Sequence, residues 1–425
     1  MSRYWHVIKE RQPADMRVEI LCTGDEILTG KTINTNYGHI ARRLVELGLE
    51  VHWGTTVGDD RTSLLTAFRQ AAERADAVIV NGGLGPTVDD LSQEAAAEAC
   101  GVPLVLSAHW LQRMTESYAR RGRVMPVNNK KQAMLPEGAE LIDNPIGTAC
   151  GFAVTIGKAR FFFTPGVPRE MRRMLDEQVI PRLLTLGGIT GVPRLKRFHT
   201  FGIGESRADE MLTGIPGLAI DGEIKLGFQA HFPELETKLA VRGADADDLA
   251  RKLVPVEAEV RRRLGHFVVA EDEQTLEGGL IATLGASGHT LAVAETFTGG
   301  AIAARLSPLP GAETVFKRGT ITRILPPGGA SHEIAARIAA GLRQESGASH
   351  ALAVLMQLDE GTDRPDFGAT IFVGIADSAG PVTRQARLVG GRDWVRIGAT
   401  ELGLDCLRRH LNGLPVDERI DFERR

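Results

Sequence analysis

Short apolar runs alternate with amphipathic segments along the first 186 residues of the chain. The runs Val18–Leu21 and Ala77–Val80 predict buried strands, and Val51–Val57 alternates apolar and polar positions as a half-buried strand does. Apolar residues at helical spacing follow each run, and the first such helix has Asn34 or Thr35 as its predicted cap. This alternation predicts an α/β fold, a doubly wound parallel sheet with helices on both faces.

Glycine and acidic residues follow three of the predicted strands, in segments 24–26, 58–60 and 82–90. Ligands bind beyond the carboxyl ends of the strands in such sheets, so we expect these segments to converge on one edge. A fourth strand, Phe161–Phe163, leads into Thr164–Pro168 at the same edge. The alternative for this last loop is a rigid turn set by its two prolines.

The loop Asn81–Thr87 contains three glycines, which let a phosphate group approach bare backbone N–H groups. Asp89 and Asp90 follow and are predicted to cap a helix that begins near Leu91. A strand, a glycine loop and a helix N-terminus together favour an anion site. A tight turn with two capping aspartates remains the alternative, because a glycine loop alone is weak evidence.

Carboxylates beside an anionic ligand repel it unless a cation lies between them. We therefore predict that Asp59, Asp89 and Asp90 hold a divalent metal, with Mg²⁺, Mn²⁺ or Co²⁺ as candidates. Asp25 and Glu26 are further acidic candidates at the same edge. Each of these carboxylates can instead be only a loop or cap residue.

The rest of the chain divides into two further predicted units. Leu186–Val192 is glycine-rich and predicts a linker. Residues 195–270 predict a small α+β unit, in which Pro255 is expected to kink or split the helix Ala246–Leu264. Residues 274–412 predict a third unit, of α/β type.

The last helix of the third unit is predicted over Trp394–Leu411. Gly398 and Gly403 lie inside this helix and weaken the prediction. Its apolar stripe at helical spacing consists of Ile397, Leu404, Leu407 and Leu411.

Composition narrows the class of protein. The 425 residues indicate two to four domains. The net charge of −4 lacks the excess of positive charge that is typical of nucleic-acid-binding proteins. No apolar run approaches the length of a membrane span. The four cysteines are far apart and form no disulfide or zinc pattern. Residues 1–15 lack the apolar core of a secretory signal and predict a flexible extension, so we expect a cytoplasmic protein. From its charge and its apolar runs, we expect it to bind neither nucleic acid nor membranes.

Seven short motifs resemble the CinA family, competence/damage-inducible protein A. The resemblance runs from residue 16 to about residue 410. One departure is Cys150, where the family usually has proline. The motifs are GDEILTG (24–30), TNY (35–37), VGDD (57–60), GGLGPTVDD (82–90), NNKKQA (128–133), NPIGTACGF (144–152) and PGVPREM (165–171).

The resemblance implies three domains and a homodimer. Residues 16–186 are similar to the molybdopterin-binding fold, which in this family is associated with metal-dependent hydrolysis of ADP-ribose to AMP and ribose 5-phosphate. Residues 194–270 resemble the KH-like middle domain, for which we expect a structural or dimer-contact role. Residues 274–412 resemble the C-terminal domain, a nicotinamide mononucleotide deamidase in active members, and 413–425 form a tail.

The resemblance also assigns residues to the first domain. Asp59 and Asp90 fall on acidic positions that relatives use for metal or substrate, and with Asp89 they form the predicted catalytic and metal-binding set. The ligand is expected to be a small-molecule nucleotide. The predicted substrate-binding residues are Gly24, Asp25, Glu26, Asn36, Gly82, Gly83, Gly85, Thr87, Asn128, Gln132, Thr148, Pro165 and Gly166.

The C-terminal domain departs from the motif of active deamidases, Glu-Ser-Cys-Thr-Gly-Gly. Thr296 replaces the serine nucleophile, and Phe297 follows it. Arg323 stands near the position of the family's tyrosine, and no lysine follows Lys317 to activate a hydroxyl group. We therefore predict a degenerate deamidase site. The retained residues, which leave nucleotide binding at a helix N-terminus open, are Thr298, Gly299 and Gly300.

Three hypotheses for the function follow from the sequence. The first is a metal-dependent pyrophosphatase for ADP-ribose or a related dinucleotide. The second is deamidation of nicotinamide mononucleotide, which the missing lysine opposes. The third is a protein that binds a nucleotide or a pterin without turning it over.

Overall fold

The computed structural model describes residues 16–219, 223–325, 327–362 and 366–424. The predicted extension at residues 1–15 lies outside this part of the chain. The chain divides into two compact units. The first comprises the chain up to Arg194 together with Arg242–Asp245, and the second comprises Leu195–Val241 and the chain from Ala246 onward.

The first unit is built on a mixed sheet with strand order β2-β1-β3-β8-β7-β6. Strand β1 is parallel to β2 and β3, and β3 is parallel to β8. The α/β prediction is confirmed, but β7 and β6 are antiparallel and were not predicted. The described strands of this unit are β1 Val18–Thr23, β2 Val51–Val57, β3 Ala77–Asn81, β4 Leu104–Leu106, β5 Met134–Pro136, β6 Glu140–Ile142, β7 Gly151–Ile156 and β8 Ala159–Thr164.

Alternation along the strands places apolar side chains on both faces of this sheet. In β3, Val78 and Val80 face one core while Ala77 and Ile79 face the other. Helices cover both faces, as expected for a doubly wound sheet. The helical segments are α1 Asp25–Leu28, α2 Thr35–Glu46, α3 Arg61–Arg74, α4 Ser92–Cys100, α5 Ala108–Arg120, α6 Pro168–Met174 and α7 Ile180–Leu186, with a 3₁₀ segment at Val127–Ala133 and a π segment at Leu175–Val179.

Helix capping settles one choice that the sequence left open. The Oδ1 atom of Asn34 accepts a hydrogen bond of 2.9 Å from the N–H of Tyr37, so Asn34 rather than Thr35 caps α2. Asp60 caps α3 in the same way, by accepting from Ser63 at 2.8 Å.

The second unit begins with a sheet of order β10-β11-β12-β9-β13. Helix α9 is continuous through Pro255, so the expected split is wrong; its buried residues Leu253, Val256 and Val260 pack in one core. The elements are β9 Val192–Phe201, α8 Glu205–Leu212, β10 Leu218–Ala219, β11 Ile224–His231, β12 Glu234–Gly243, α9 Ala246–Leu264, a 3₁₀ segment Gly265–Phe267 and β13 Val268–Glu271.

The second unit continues with a sheet of order β15-β14-β16-β17-β18. Strands β15, β14 and β16 are parallel, whereas β17 and β18 run antiparallel to their neighbours. The elements are α10 Leu276–Ala286, β14 Leu291–Thr296, α11 Ala301–Leu306, α12 Ala312–Val315, β15 Phe316–Thr322, α13 His332–Ser346, β16 His350–Leu358, β17 Gly368–Asp377, β18 Gly380–Val389 and α14 Arg392–Leu411.

The predicted last helix is present as α14, and Leu404 and Leu407 of its stripe are buried. The helix is buried on more than one side, so its buried surface is wider than that stripe. Ile397, one of the stripe residues, remains 37% exposed. Gly398 and Gly403 are buried instead, and a Cβ atom at Gly403 would lie 2.6 Å from Val354. These glycines allow close packing against the sheet rather than weakening the helix. In the part of the chain that the structure describes, no helix is long and apolar enough to cross a membrane.

Candidate functional site

A cavity of about 460 Å³ lies in the first unit, at the carboxyl ends of β1, β3 and β8. The predicted convergence of the strand-end segments on one edge is therefore seen. The cavity is lined by Thr23, Gly24, Glu26, Asp59, Gly82, Gly83, Leu84, Gly85, Pro86, Asp89, Asp90, Gln132, Thr148, Ala149, Pro165, Gly166, Val167 and Glu170.

One wall of this cavity presents hydrogen-bond donors without protein partners. Within the described residues, the backbone N–H groups of Gly83, Leu84 and Gly85 make no hydrogen bond, whereas the N–H of Gly82 donates to Thr164 at 3.0 Å. The Oγ1 atom of Thr23 also has no partner, although Thr23 is only 6% exposed. Buried polar groups are normally satisfied, so this wall is suited to a ligand that accepts hydrogen bonds.

The glycines allow this wall to form. Gly82 has φ of 113°, in the left-handed region that disfavours side chains. A Cβ atom at Gly82 would lie 2.6 Å from the hydroxyl oxygen of Thr23. The close approach of loop backbone to the end of β1 therefore requires glycine at this position.

A second part of the cavity lining, the acidic wall, consists of carboxylates. The carboxylates of Glu26, Asp59, Asp89, Asp90 and Glu170 line the cavity, and no lysine or arginine is among the described lining residues. A negatively charged ligand would be repelled by this set of charges. The acidic wall therefore favours a cation between ligand and protein.

Among the carboxylates that line the cavity, Asp59 has a pKa that neighbouring negative charges help to raise. Its Oδ2 atom accepts from the N–H of Asp25 at 3.1 Å, and Asp25 Oδ1 accepts from the N–H of Asp59 at 3.2 Å. Burial raises the pKa of Asp59, the N–H of Asp25 works against this, and repulsion from Asp25, Glu26 and Asp89 raises the pKa further. A bound cation would remove this repulsion.

Asp90 closes the glycine loop and does not cap helix α4. Its Oδ2 atom accepts from the N–H of Thr87 at 2.8 Å and also from the Thr87 hydroxyl. Helix α4 begins at Ser92 after Leu91, with no side-chain cap. The predicted capping by Asp89 and Asp90 is therefore wrong, because the turn at Thr87 uses the Asp90 carboxylate first.

Most of the predicted substrate residues line the cavity, but four do not. Asp25 and Thr87 are exposed and contact the lining through their hydrogen bonds with Asp59 and Asp90. Asn36 is buried and binds Asn81 and the carbonyl of Gly166. The fourth, Asn128, is exposed on the 3₁₀ segment and does not line the cavity.

Several lining residues were not predicted as site residues. Thr23 is the last residue of β1, and the strand-end rule that selected Gly24 could have included it. Glu170 lies on α6 just after the proline loop, and its carboxylate accepts from Asn144 at 2.7 Å. The others are Leu84, Pro86, Ala149 and Val167.

The acidic wall is not a preformed three-ligand metal cluster. In the described chain, one group of three side chains brings its donor atoms within 4.8 Å of one another, and it lies in the second unit. Asp59, Asp89 and Asp90 share the cavity without this degree of convergence. A cation here would have to complete its coordination with ligand or water oxygens.

The predicted deamidase position in the second unit is closed by internal hydrogen bonds. Thr296 is 2% exposed, and its hydroxyl accepts from the N–H of Met356 at 2.9 Å. Arg323 is exposed in the bend after β15. Phe297 has φ of 62°, in the left-handed region, where the family's cysteine stands.

The N-terminus of α11 is occupied by the protein itself. Glu295 is buried, and its carboxylate accepts from the N–H groups of Ile302 at 3.0 Å and Ala303 at 2.9 Å. It also accepts from the Thr298 hydroxyl at 2.6 Å. The N–H groups of Ile302 and Ala303, which follow the retained Gly299 and Gly300, are therefore not available to a phosphate group.

Replacing Thr23 with valine should separate ligand binding from folding. The change keeps the side-chain shape and removes a buried hydroxyl whose unsatisfied state costs about 1–3 kcal/mol. We expect Thr23→Val to be at least as stable as the parent and to bind Mg²⁺–pyrophosphate about tenfold more weakly. Calorimetric titration measures the affinity, with Thr66→Val, on the exposed side of α3, as the control. Unchanged affinity in Thr23→Val would contradict this role.

Neighbouring Asp59 and Asp60 should show opposite effects of charge removal on stability. The pKa of Asp59 is raised, so its charged form is disfavoured in the folded state and costs stability as the pH rises through this pKa. Asp59→Asn should therefore raise the melting temperature of the metal-free protein near pH 7, with a smaller difference at about pH 4.

Asp60 is the matched control for this measurement. Hydrogen bonds from Ser63 lower its pKa, so its charged form stabilises the protein above the unfolded-state pKa, and this contribution is lost as the pH falls. Asp60→Asn should lower the melting temperature near pH 7. Differential scanning calorimetry at both pH values checks the pair, and a shift in the same direction for both variants would argue against the charge crowding.

Comparisons with known proteins match successive parts of the chain. Family models match for a probable molybdopterin binding domain at residues 19–185, the damage-inducible protein CinA KH domain at 195–270 and the CinA C-terminal domain at 273–411. The predicted resemblance is thereby confirmed.

Full-length relatives give the same result. A CinA-like protein of Shewanella amazonensis is 37% identical over 420 residues, covering 94% of this chain and 97% of that protein. Another, of Shewanella woodyi, is 38% identical over 419 residues with the same coverage. A crystal structure of the protein CinA from Thermoplasma acidophilum is 34% identical and covers 40% of this chain and 98% of that one, with a TM-score of 0.37. The chain belongs to the CinA family.

Proposed function

We propose that the first unit hydrolyses ADP-ribose, or a related dinucleotide pyrophosphate, to AMP and ribose 5-phosphate with the help of a divalent cation. The observation that carries this proposal is the pairing of two walls in one cavity. One wall presents unpartnered N–H and hydroxyl donors, and the other presents five carboxylates. A pyrophosphate with its metal ion fits both, because it combines acceptor oxygens with positive charge.

The residues of the chain have distinct parts in this proposal. The N–H groups of Gly83, Leu84 and Gly85 hold one phosphate group, and the Thr23 hydroxyl orients it from the end of β1. The charge of a phosphate held beside the carboxylates of the cavity would be balanced by the divalent cation.

We assign the cation to Asp59 and Asp89, with Glu26 and Asp90 beside them. The repulsion that raises the pKa of Asp59 comes in part from Asp89 and Glu26, so these charges lie close to one another. Mg²⁺ is commonly held by one or two carboxylates together with substrate phosphates and water, which agrees with the loose grouping of these oxygens. When bound, the cation neutralises charge on the phosphate oxygens as the bond between the phosphates breaks.

We infer that the second unit does not deamidate nicotinamide mononucleotide. The hydroxyl of Thr296 accepts a hydrogen bond from the backbone of β16, and the chain has no lysine after Lys317. A hydroxyl nucleophile needs an adjacent base.

A second candidate is binding of a phosphate-bearing pterin without turnover. The match of residues 19–185 to a probable molybdopterin binding domain favours it. The donor wall would hold the pterin's phosphate in the same way. Turnover of ADP-ribose separates the two candidates.

Asp59→Asn should abolish metal-dependent turnover of ADP-ribose. We expect phosphorus NMR to show AMP and ribose 5-phosphate with Mg²⁺, Mn²⁺ or Co²⁺ and not with chelator, and the variant to lose about 100-fold or more of the rate. Asn keeps the acceptor for the N–H of Asp25 and removes only the charge. Asp60→Asn, which removes the adjacent charge outside the cavity, should retain the parent rate.

Two outcomes would contradict the pyrophosphatase proposal. No AMP with any of the three metals would move the function to binding alone. Equal rates for Asp59→Asn and the parent would show that the products arise elsewhere.

Nicotinamide mononucleotide should remain unchanged when it is incubated with the protein. The buried, hydrogen-bonded Thr296 hydroxyl cannot be activated without a base. Chromatography for nicotinic acid mononucleotide checks this, and Thr296→Val is the control that removes the hydroxyl. Product from the parent that is lost in Thr296→Val would show an active deamidase.

A further inference from the structure

Three side chains that the proposed function does not use converge at one end of the C-terminal sheet. They are His350 at the beginning of β16, Asp377 at the end of β17 and His410 in the last turn of α14. One donor atom from each lies within 4.8 Å of the other two. Leu291, the first residue of β14, pairs with His350, so this is the edge opposite the Thr296 end of the same strands.

We propose that His350, Asp377 and His410 bind a divalent transition metal ion such as Zn²⁺. Two imidazoles and one carboxylate suit Zn²⁺ and its neighbours, whereas Mg²⁺ prefers oxygen ligands alone. The ion would join the paired strands β16 and β17 to helix α14. This site is separate from the acidic cavity and does not depend on the proposed hydrolysis.

The hydrogen bonds around His350 leave the appropriate nitrogen free. The hydroxyl of Ser349 has one proton, and its 2.9 Å contact with the carbonyl oxygen of Thr290 requires that proton. His350 Nδ1 lies 2.9 Å from the same hydroxyl oxygen and must therefore donate to it. The Nε2 atom then carries the lone pair, as a metal ligand requires.

Asp377 is held by a similar arrangement. Its Oδ1 atom accepts from the N–H of Ala379 at 2.7 Å, which fixes the carboxylate and leaves Oδ2 towards the cluster. Oδ2 lies 2.9 Å from His410 Nε2. Tetrahedral ligands at about 2.0–2.1 Å from Zn²⁺ lie about 3.3 Å apart, so the pair needs to open by only a few tenths of an ångström.

An ion can reach this site, and its coordination is open. The side chains of His410 and Asp377 are 16% and 19% exposed, so the cluster borders solvent. Three protein ligands leave a fourth position for water or another donor. The exposed ring of His289 lies near the cluster, with its centroid 4.7 Å from that of His350.

The test is zinc titration of the full-length protein, tag-free and treated with chelator, in excess Mg²⁺ to fill the oxygen-lined cavity. We expect one equivalent of Zn²⁺, and Co²⁺ should give the visible absorption bands of a site with nitrogen ligands. His350→Gln, Asp377→Asn and His410→Gln should each weaken Zn²⁺ binding about tenfold or more. His109→Gln, an exposed histidine in the first unit, should bind as the parent does.

Two further measurements keep the proposal falsifiable if a ligand variant folds poorly. Ser349→Ala keeps all three ligands and removes the partner of His350 Nδ1, so it should weaken binding about tenfold. Circular dichroism of each variant reports whether it is folded. Absence of a stoichiometric Zn²⁺ site in the parent, or equal affinity in parent and folded His410→Gln, would overturn the proposal.

Discussion

Two buried asparagine side chains hold together the strand ends on which the candidate site depends. Asn81, the last residue of β3, donates to the carbonyl of Pro165 at 2.7 Å and to the hydroxyl of Thr164 at 3.2 Å. Asn36 on α2 donates to Asn81 at 2.9 Å and to the carbonyl of Gly166 at 2.8 Å. Breaking such a network leaves buried groups unsatisfied at about 1–3 kcal/mol each. The glycine loop after β3 and the proline loop after β8 are thus fixed relative to each other.

The loops held by this frame line a cavity that contains five carboxylates. Burial, together with repulsion from Asp25, Glu26 and Asp89, raises the pKa of Asp59 in this cavity. In the function that we propose, a divalent cation would balance this negative charge. The adjacent N–H groups of Gly83, Leu84 and Gly85 would hold the anion that accompanies the cation.

The sequence predicted the edge of the sheet that carries the candidate site because the pattern that indicates it is local. Each strand ends in glycine or acidic residues, and parallel strands bring their carboxyl ends together whatever the details of packing. Features that depend on tertiary contacts were not predicted from the sequence. Strand β7 runs antiparallel to β8 because the two form a hairpin at Gly157, and the Asp90 carboxylate turned to Thr87 because the loop closes on itself. Periodicity could not anticipate either, nor the cluster at His350, whose members lie 27 and 33 residues or more apart in the chain.

Hydrogen-bond satisfaction also distinguishes the candidate site of the first unit from the predicted deamidase position of the second unit. At the predicted deamidase position, Glu295 satisfies the donors of α11 and Thr296 is bonded to β16. A group whose hydrogen bonds are complete within the protein has nothing left to offer a ligand. In the first unit, by contrast, the Thr23 hydroxyl and three consecutive N–H groups remain unsatisfied next to the carboxylates of the cavity. In the folded protein these donors lack hydrogen-bond partners, which costs stability. A bound metal–phosphate ligand would supply the missing partners and stabilise the protein.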